Sequence, residues 1–188
     1  MPDPAPVTAA VEALLSGAKR PVIVALDGMA AAGKTPAAQA LAARWGAPVV
    51  HMDDFFLPPE LRTPTRYAEP GGNVHYERFA AEVLPGLRAG APFSYRVFDC
   101  SVMDYRGEAS VPAAPVVVVE GSYALHPRFG PYADVTAFLA VDPAEQERRI
   151  RARNGPDGWD SFRDRWIPME NAYHAAFRIR ENADIVLL

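Results

Sequence analysis

The densest apolar run in the chain is Val116-Val117-Val118-Val119, closed by Glu120 and Gly121. A short run without polar alternation predicts a strand buried on both faces. Similar runs predict further strands at Pro21–Leu26, Val49–Met52, Val135–Val141 and Ile185–Leu188. Between them the period changes. Thr8–Gly17 and Ala37–Trp45 are rich in strong helix formers, and Tyr76–Leu87 repeats Phe79, Val83, Leu84 and Leu87 at helical spacing. Pro143–Asn154 and Ser161–Glu181 read as helices on either side of a Gly/Pro break. Residues 57–75 carry Pro58, Pro59, Pro64, Pro70, Gly71 and Gly72, which is loop chemistry, and 89–114 hold only short β-like pieces such as Phe93–Tyr95 and Val97-Phe98. Strands alternating with helices imply right-handed βαβ units. The expected fold is therefore α/β: a three-layer sandwich around a five-stranded parallel sheet, in one domain over 1–188. A long irregular stretch between the second and third main strands is unusual unless functional. Residues 57–114 are therefore expected to form an acceptor-binding insertion, and 143–165 a lid.

Composition narrows the class. The 188 residues are 49% hydrophobic and 22% charged, enough for one ordinary core. The net charge of -4 argues against a nucleic-acid partner, which would favour a basic excess. A single cysteine, Cys100, excludes an internal disulfide and suits a reducing, cytoplasmic compartment. Residues 1–6 have no basic segment followed by an apolar run, so no signal peptide is expected. No apolar stretch of about 18 residues exists, so no membrane span is expected. Only two lysines occur, Lys19 and Lys34, and the second lies in the most informative motif.

Gly28-Met29-Ala30-Ala31-Ala32-Gly33-Lys34-Thr35 fits G-x-x-x-x-G-K-[ST] between a predicted strand and a predicted helix. The glycines allow a tight turn and a close backbone approach to phosphates. Successive N–H groups of Ala30, Ala31, Ala32 and Gly33 can converge into an anion nest at the positive end of the following helix. Lys34 can reach the terminal phosphates and Thr35 can ligate Mg²⁺. Pro36 follows directly. A first helical turn tolerates it, but it removes an N–H that would help hold phosphate.

Acidic and basic residues complete the candidate chemistry. Asp53, after the second strand, is placed to accept a hydroxyl proton during phosphoryl transfer, with Asp54 as a second acid. Glu120, ending the valine strand, stands where a carboxylate would hold Mg²⁺. Thr35, Glu120 and Asp53 are thus the candidate metal ligands. One of Phe55 and Phe56 is expected in the core and the other against an acceptor ring. Arg148, Arg149, Arg151 and Arg153 suit a lid that stabilises charge on a transferring phosphoryl group.

Taken together, the phosphate loop, Met52–Phe56, Gly72-Asn73-Val74-His75-Tyr76, Glu120-Gly121 and the arginine-rich segment resemble the uridine kinase family of P-loop kinases. The pantothenate kinase and phosphoribulokinase branches are near relatives. The resemblance covers about residues 20–188. It implies a P-loop NTPase fold, ATP with Mg²⁺, and a small-molecule acceptor, nucleoside-like first and pantothenate- or sugar-like second. It implies Asp53 as base, Glu120 as the Mg²⁺-linked acid, and Arg149 and Arg153 as lid arginines. It also implies Phe56 and Tyr95 as acceptor-facing aromatics. Two positions depart from the pattern. His75 stands where nucleoside kinases have Asp, and Arg96, Asp99 and Cys100 occupy the hairpin neighbourhood where the family has a base-reading His. His75 and Arg96 are accordingly candidate acceptor residues of a different kind. A homo-oligomer is left open. The competing readings are a nucleotide-dependent switch and a non-catalytic nucleotide binder, the latter suggested by Pro36.

Overall fold

The computed structural model describes residues 2–188. Helix α1 (Ala5–Leu15) starts three residues earlier than the helical pattern suggests, because Pro6 fits its first turn. It presents Val7 and Val11 to the sheet. Strand β1 (Val22–Gly28) is buried along its whole length. Helix α2 (Lys34–Trp45) follows the phosphate loop, and β2 (Val49–His51) is cut short by a 3-10 turn over Met52–Phe55.

Residues 57–75 are more ordered than their Pro/Gly content suggests. A 3-10 turn spans Pro59–Leu61, and α3 (Pro64–Ala68) is capped by Thr63, whose hydroxyl accepts from Arg66 N–H at 3.1 Å. The single helix expected over Tyr76–Leu87 is two, α4 (Tyr76–Glu82) and α5 (Leu84–Ala89). Pro85 lacks the N–H that would carry α4 onward, so the chain re-nucleates at Leu84. Strand β3 (Phe93–Asp99) pairs antiparallel with β4 (Asp104–Val111) as a separate hairpin. The second strand left no apolar run because most of its side chains are exposed on both faces.

Strand β5 (Val116–Glu120) is fully buried, and β6 (Val135–Leu139) nearly so. Helix α6 (Pro143–Ser161) is capped by Asp142, which accepts from the Ala144 and Glu145 amides. It is kinked at Gly155, where φ is 73°. The Gly/Pro break is therefore real, but helix resumes immediately after it. A π-helical turn, Phe162–Trp166, leads into α7 (Ile167–Phe177), followed by α8 (Ile179–Asn182) and β7 (Ile185–Leu187).

The main sheet has the order β2-β5-β1-β6-β7, with every pairing parallel. Its pleat divides the core. Val22, Val24, Leu26, Val116 and Val118 pack with α1 and α2 on one face. Ile23, Ala25, Val117 and Val119 pack with Phe55, Phe79 and Tyr173 on the other. That makes three layers. The C-terminal ends of β1, β2 and β5 deliver three loops to one edge, the usual place for a ligand in an open parallel sheet. Among the described residues, no helix is long and apolar enough to cross a membrane.

Candidate active site

The phosphate loop leaves β1 through Gly28, at φ 137°, with Met29 N–H donating to Leu139 O at 3.0 Å. Only glycine fits at residue 28, since a β-carbon would lie 2.1 Å from Leu139 O. Ala31 (φ 57°) and Gly33 (φ 97°) take left-handed conformations. Alternating these with ordinary ones is the geometry that turns amides toward an anion, but the Ala30 and Ala32 amides, expected in that nest, donate instead to Glu170 Oε2 and Met29 O, which leaves those of Ala31 and Gly33 for it. Lys34 Nζ donates to Gly28 O and Met29 O at 2.8 and 2.9 Å, so its ammonium curls back over the loop. Pro36 lies in the first turn of α2 without breaking it.

Side chains from distant helices brace the loop from outside. Ala30 N–H donates to Glu170 Oε2 at 2.9 Å, and Glu170 Oε1 accepts from the Ser122 hydroxyl at 2.8 Å. Gln146 Nε2 donates to Ala30 O at 2.9 Å, and Arg149 donates to Ala31 O at 3.0 Å. Burial raises the Glu170 carboxyl, and Lys34 partly opposes this. Asp27, wholly buried, accepts from the Gly28, Tyr123 and Leu125 amides and the Tyr173 hydroxyl at 2.7, 3.2, 2.9 and 2.8 Å. It joins the loops after β1 and β5 to α7. Sequence reasoning missed Asp27, Gln146 and Glu170. The visible signals were an acid inside an apolar strand and polar residues on buried helix faces.

The Thr35 hydroxyl lies 3.1 and 3.2 Å from the two Glu120 oxygens. This pair offers only oxygen donors, as Mg²⁺ requires, and leaves room for the phosphate and water oxygens that normally complete its shell. Thr35 and Glu120 therefore fit the implied ion. Glu120 is also 2.6 Å from His51 Nδ1, an interaction that raises the imidazole above its ordinary value. Gly121, at φ 133°, lets the turn after β5 close on Met52, drawing the Met52–Phe55 segment toward Glu120.

Asp53 opens into the same cleft. Surrounding protein raises its carboxyl above the ordinary value, with Lys34 pulling the other way. Asp54 turns aside. Its Oδ2 accepts from Tyr95 OH at 3.0 Å, and its carbonyl accepts from Arg78. The cleft measures about 1010 Å³ and is shared by the phosphate loop, Asp53, Phe56, Glu120, Arg149 and Arg153. Arg62, Asn73, Cys100 and Met103 also line it.

Three expected acceptor residues lie elsewhere. Tyr95 is 2% exposed, packed against Phe55 in the core, because β3 turns its side chain inward. Arg96 points to solvent, paired with Glu82. His75 caps α4 by accepting from Arg78 N–H, with burial lowering its imidazole. Phe55 is the aromatic in the core, and Phe56 lines the cleft.

No protein-family model matches the chain. Solved structures match its fold over nearly its whole length. A possible uridine kinase from Bacillus stearothermophilus is 16% identical with a TM-score of 0.70, covering 96% of this chain and 98% of that one. A candidate fructose transport system kinase from Silicibacter sp. TM1040 is 24% identical with a TM-score of 0.73, covering 98% of each. D-glycerate 3-kinase from Cryptococcus neoformans var. grubii is 15% identical with a TM-score of 0.58, covering 90% and 88%. With its parallel sheet, phosphate loop and strand-end carboxylates, the chain has the α/β P-loop NTPase fold found in these kinases.

Proposed function

We propose that the protein is an ATP-dependent kinase that transfers the γ-phosphoryl group of ATP to a hydroxyl of a small metabolite. One observation carries this reading. A single cleft collects the phosphate loop, the Thr35–Glu120 oxygen pair, the Asp53 carboxylate and two arginines of α6. In the productive complex the loop amides and Lys34 hold the phosphate chain. Asp53 orients the acceptor hydroxyl and takes its proton as the oxygen attacks phosphorus. Arg149 and Arg153 meet the negative charge that spreads over the transferring group. Mg²⁺, when bound at Thr35 and Glu120, supplies further neutralisation of that charge.

A regulatory switch would need only the nucleotide half of this cleft. The acceptor half, with Asp53, Phe56, Arg62 and Asn73, favours transfer to a second molecule. A nucleoside-like acceptor remains the reading that the sequence resemblance implies, with Phe56 as the ring-facing aromatic.

The test measures ADP release with Mg-ATP, with and without panels of nucleosides, sugars, hydroxy acids and pantothenate. Acceptor-dependent release is expected. Asp53→Asn should abolish transfer while leaving nucleotide affinity within about twofold, given that the base acts on the acceptor. In the wild type, the rate should fall as Asp53 protonates. Because its carboxyl is raised, this acid limb lies higher in pH than an ordinary aspartate would give. Hydrolysis independent of every acceptor would contradict the proposal.

A further inference from the structure

We infer that the acceptor carries an anionic group, a carboxylate or a phosphate, and that Arg62 receives it. This rests on the kinase reading for the identity of the cleft, and it narrows the acceptor away from neutral nucleosides.

Most arginines in and around the cleft spend their hydrogen bonds on protein groups. Arg66 donates to Gly72 O, Val74 O, Tyr76 OH and both Glu77 oxygens. Arg78, buried beneath Phe55, pairs with Glu82 and donates to the Arg96 and Asp54 carbonyls. Arg148 and Arg149 share Glu145. Arg62 differs. Its Nε donates to Leu57 O at 2.7 Å, and one terminal nitrogen lies 3.7 Å from Cys100 Sγ, a weak acceptor. Among the described residues it has no carboxylate within ion-pairing distance, and its Nη1 has no protein partner.

Three features make this a built position and not a solvated surface arginine. Arg62 is half-buried and lines the cleft. The Nε bond to the Leu57 carbonyl fixes the plane of the guanidinium, so its outer edge is oriented before anything binds. Asp53 lines the same cleft of about 1010 Å³. An acceptor can therefore place a hydroxyl at Asp53 and an anionic group at Arg62 within one small molecule. Two parallel N–H bonds to a carboxylate or phosphate are the geometry a guanidinium edge favours. A neutral acceptor that excluded water would strand the cation without a counter-charge, which is strongly unfavourable. Asn73, buried to 8% exposure, also lines the cleft and adds a neutral amide suited to a further hydroxyl or carbonyl.

The experiment compares matched acceptors in the ADP-release assay on the whole chain. D-glycerate and gluconate test the carboxylate, glycerol 3-phosphate and ribose 5-phosphate test the phosphate, and glycerol, ribose and uridine are the neutral counterparts. Anionic acceptors of one class should be turned over and their neutral counterparts should not. In Arg62→Gln the KM for that anionic acceptor should rise about 10- to 150-fold, the value of a charged hydrogen-bonded contact. The kcat and the KM for ATP should move less than about threefold, as expected when uniform acceptor binding is lost. Arg62→Lys keeps the charge without the fork and should fall between. It also keeps a donor for Leu57, so it guards against a folding defect in the Gln variant. Neutral acceptors turned over as well as anionic ones, or an unchanged acceptor KM in both variants, would overturn the inference and leave the kinase proposal standing. If no acceptor releases ADP, the kinase proposal fails. Titration calorimetry of D-glycerate and ribose 5-phosphate on the ADP-bound protein then decides the anion site alone. Saturable binding lost in Arg62→Gln supports it, and no binding in the wild type refutes it.

Discussion

Asp27 gives the sharpest test of how this fold holds its site. Its carboxylate is 0% exposed and accepts two long-range amides, Tyr123 and Leu125, and the Tyr173 hydroxyl, besides its neighbour Gly28. Replacing it with alanine leaves those three distant donors buried without an acceptor. Each stranded donor costs about 1–3 kcal/mol, so the sum is about 3–9 kcal/mol, and a mid-range loss of about 4–6 is expected because relaxation or a trapped water relieves the upper end. That is a large share of the roughly 5–15 kcal/mol that holds a domain folded. Asparagine keeps one oxygen but turns an amide N–H₂ toward the other donors. The Tyr173 hydroxyl can rotate to accept, but a backbone N–H cannot, so about 2–3 kcal/mol is expected. Urea unfolding followed by far-ultraviolet circular dichroism measures this directly. At a slope of about 1–3 kcal/mol/M, the midpoint should fall by about 1 M for Asp27→Asn and about 2 M or more for Asp27→Ala. A double-mutant cycle with Tyr173→Phe should show coupling of about 1 kcal/mol or more. Nucleotide affinity of the Asn variant should also fall, because the same carboxylate aligns the phosphate loop with the turn after β5. A loss below about 1 kcal/mol for Asp27→Ala would refute the reasoning, since no buried donor could then have been stranded.

Three further outcomes follow from the same geometry. Gly28→Ala would place a methyl 2.1 Å from the Leu139 carbonyl, at a φ that disfavours side chains; soluble expression or Tm should drop sharply, with a loss of about 3 kcal/mol or more. Glu170→Ala leaves the Ala30 amide and the Ser122 hydroxyl without their acceptor; a fluorescent-nucleotide titration should show affinity weakened about tenfold, and unchanged binding would count against the bracing role. Burial pushes the Glu77 carboxyl up, but the Arg66 hydrogen bonds and charge bring it down to about 2. A depressed carboxylate contributes stability that is present above the unfolded value of about 4.5 and is lost as pH falls through about 2. Glu77 is half-exposed, so solvent screening limits the effect. Glu77→Gln should lower Tm by about 2–4 °C at pH 7, with the difference fading as pH falls from about 4.5 toward about 2.

Local chemistry along the chain was enough to specify several features. Five short apolar runs bounded by turn residues suit strands, and all five form the parallel sheet, the middle three buried and the edge pair β2 and β7 only partly so. The place of Gly28–Thr35 as a turn between a buried strand and a helix was legible from residue type and spacing, though the side chains that brace it come from distant helices. Asp53, Phe56, Glu120, Arg149 and Arg153 were locatable because each sits at or near a strand end or on a helix beside that loop, and they do share its cleft.

Contacts between residues far apart in sequence could not be read that way. Tyr95 looked like an acceptor residue from its place in the hairpin. Which face of β3 turns inward is set by packing against Phe55, and that buries it on Asp54. The polar strand β4 became visible only through its partner, because backbone pairing leaves no mark on side-chain hydropathy. Glu170 reaches Ala30 from 140 residues away, and Asp27 meets Tyr173 across 146. Arg62 owes its meaning to what fails to surround it. Only the folded chain decides which charges find partners, since an ion pair depends on distance in space and not on separation along the backbone.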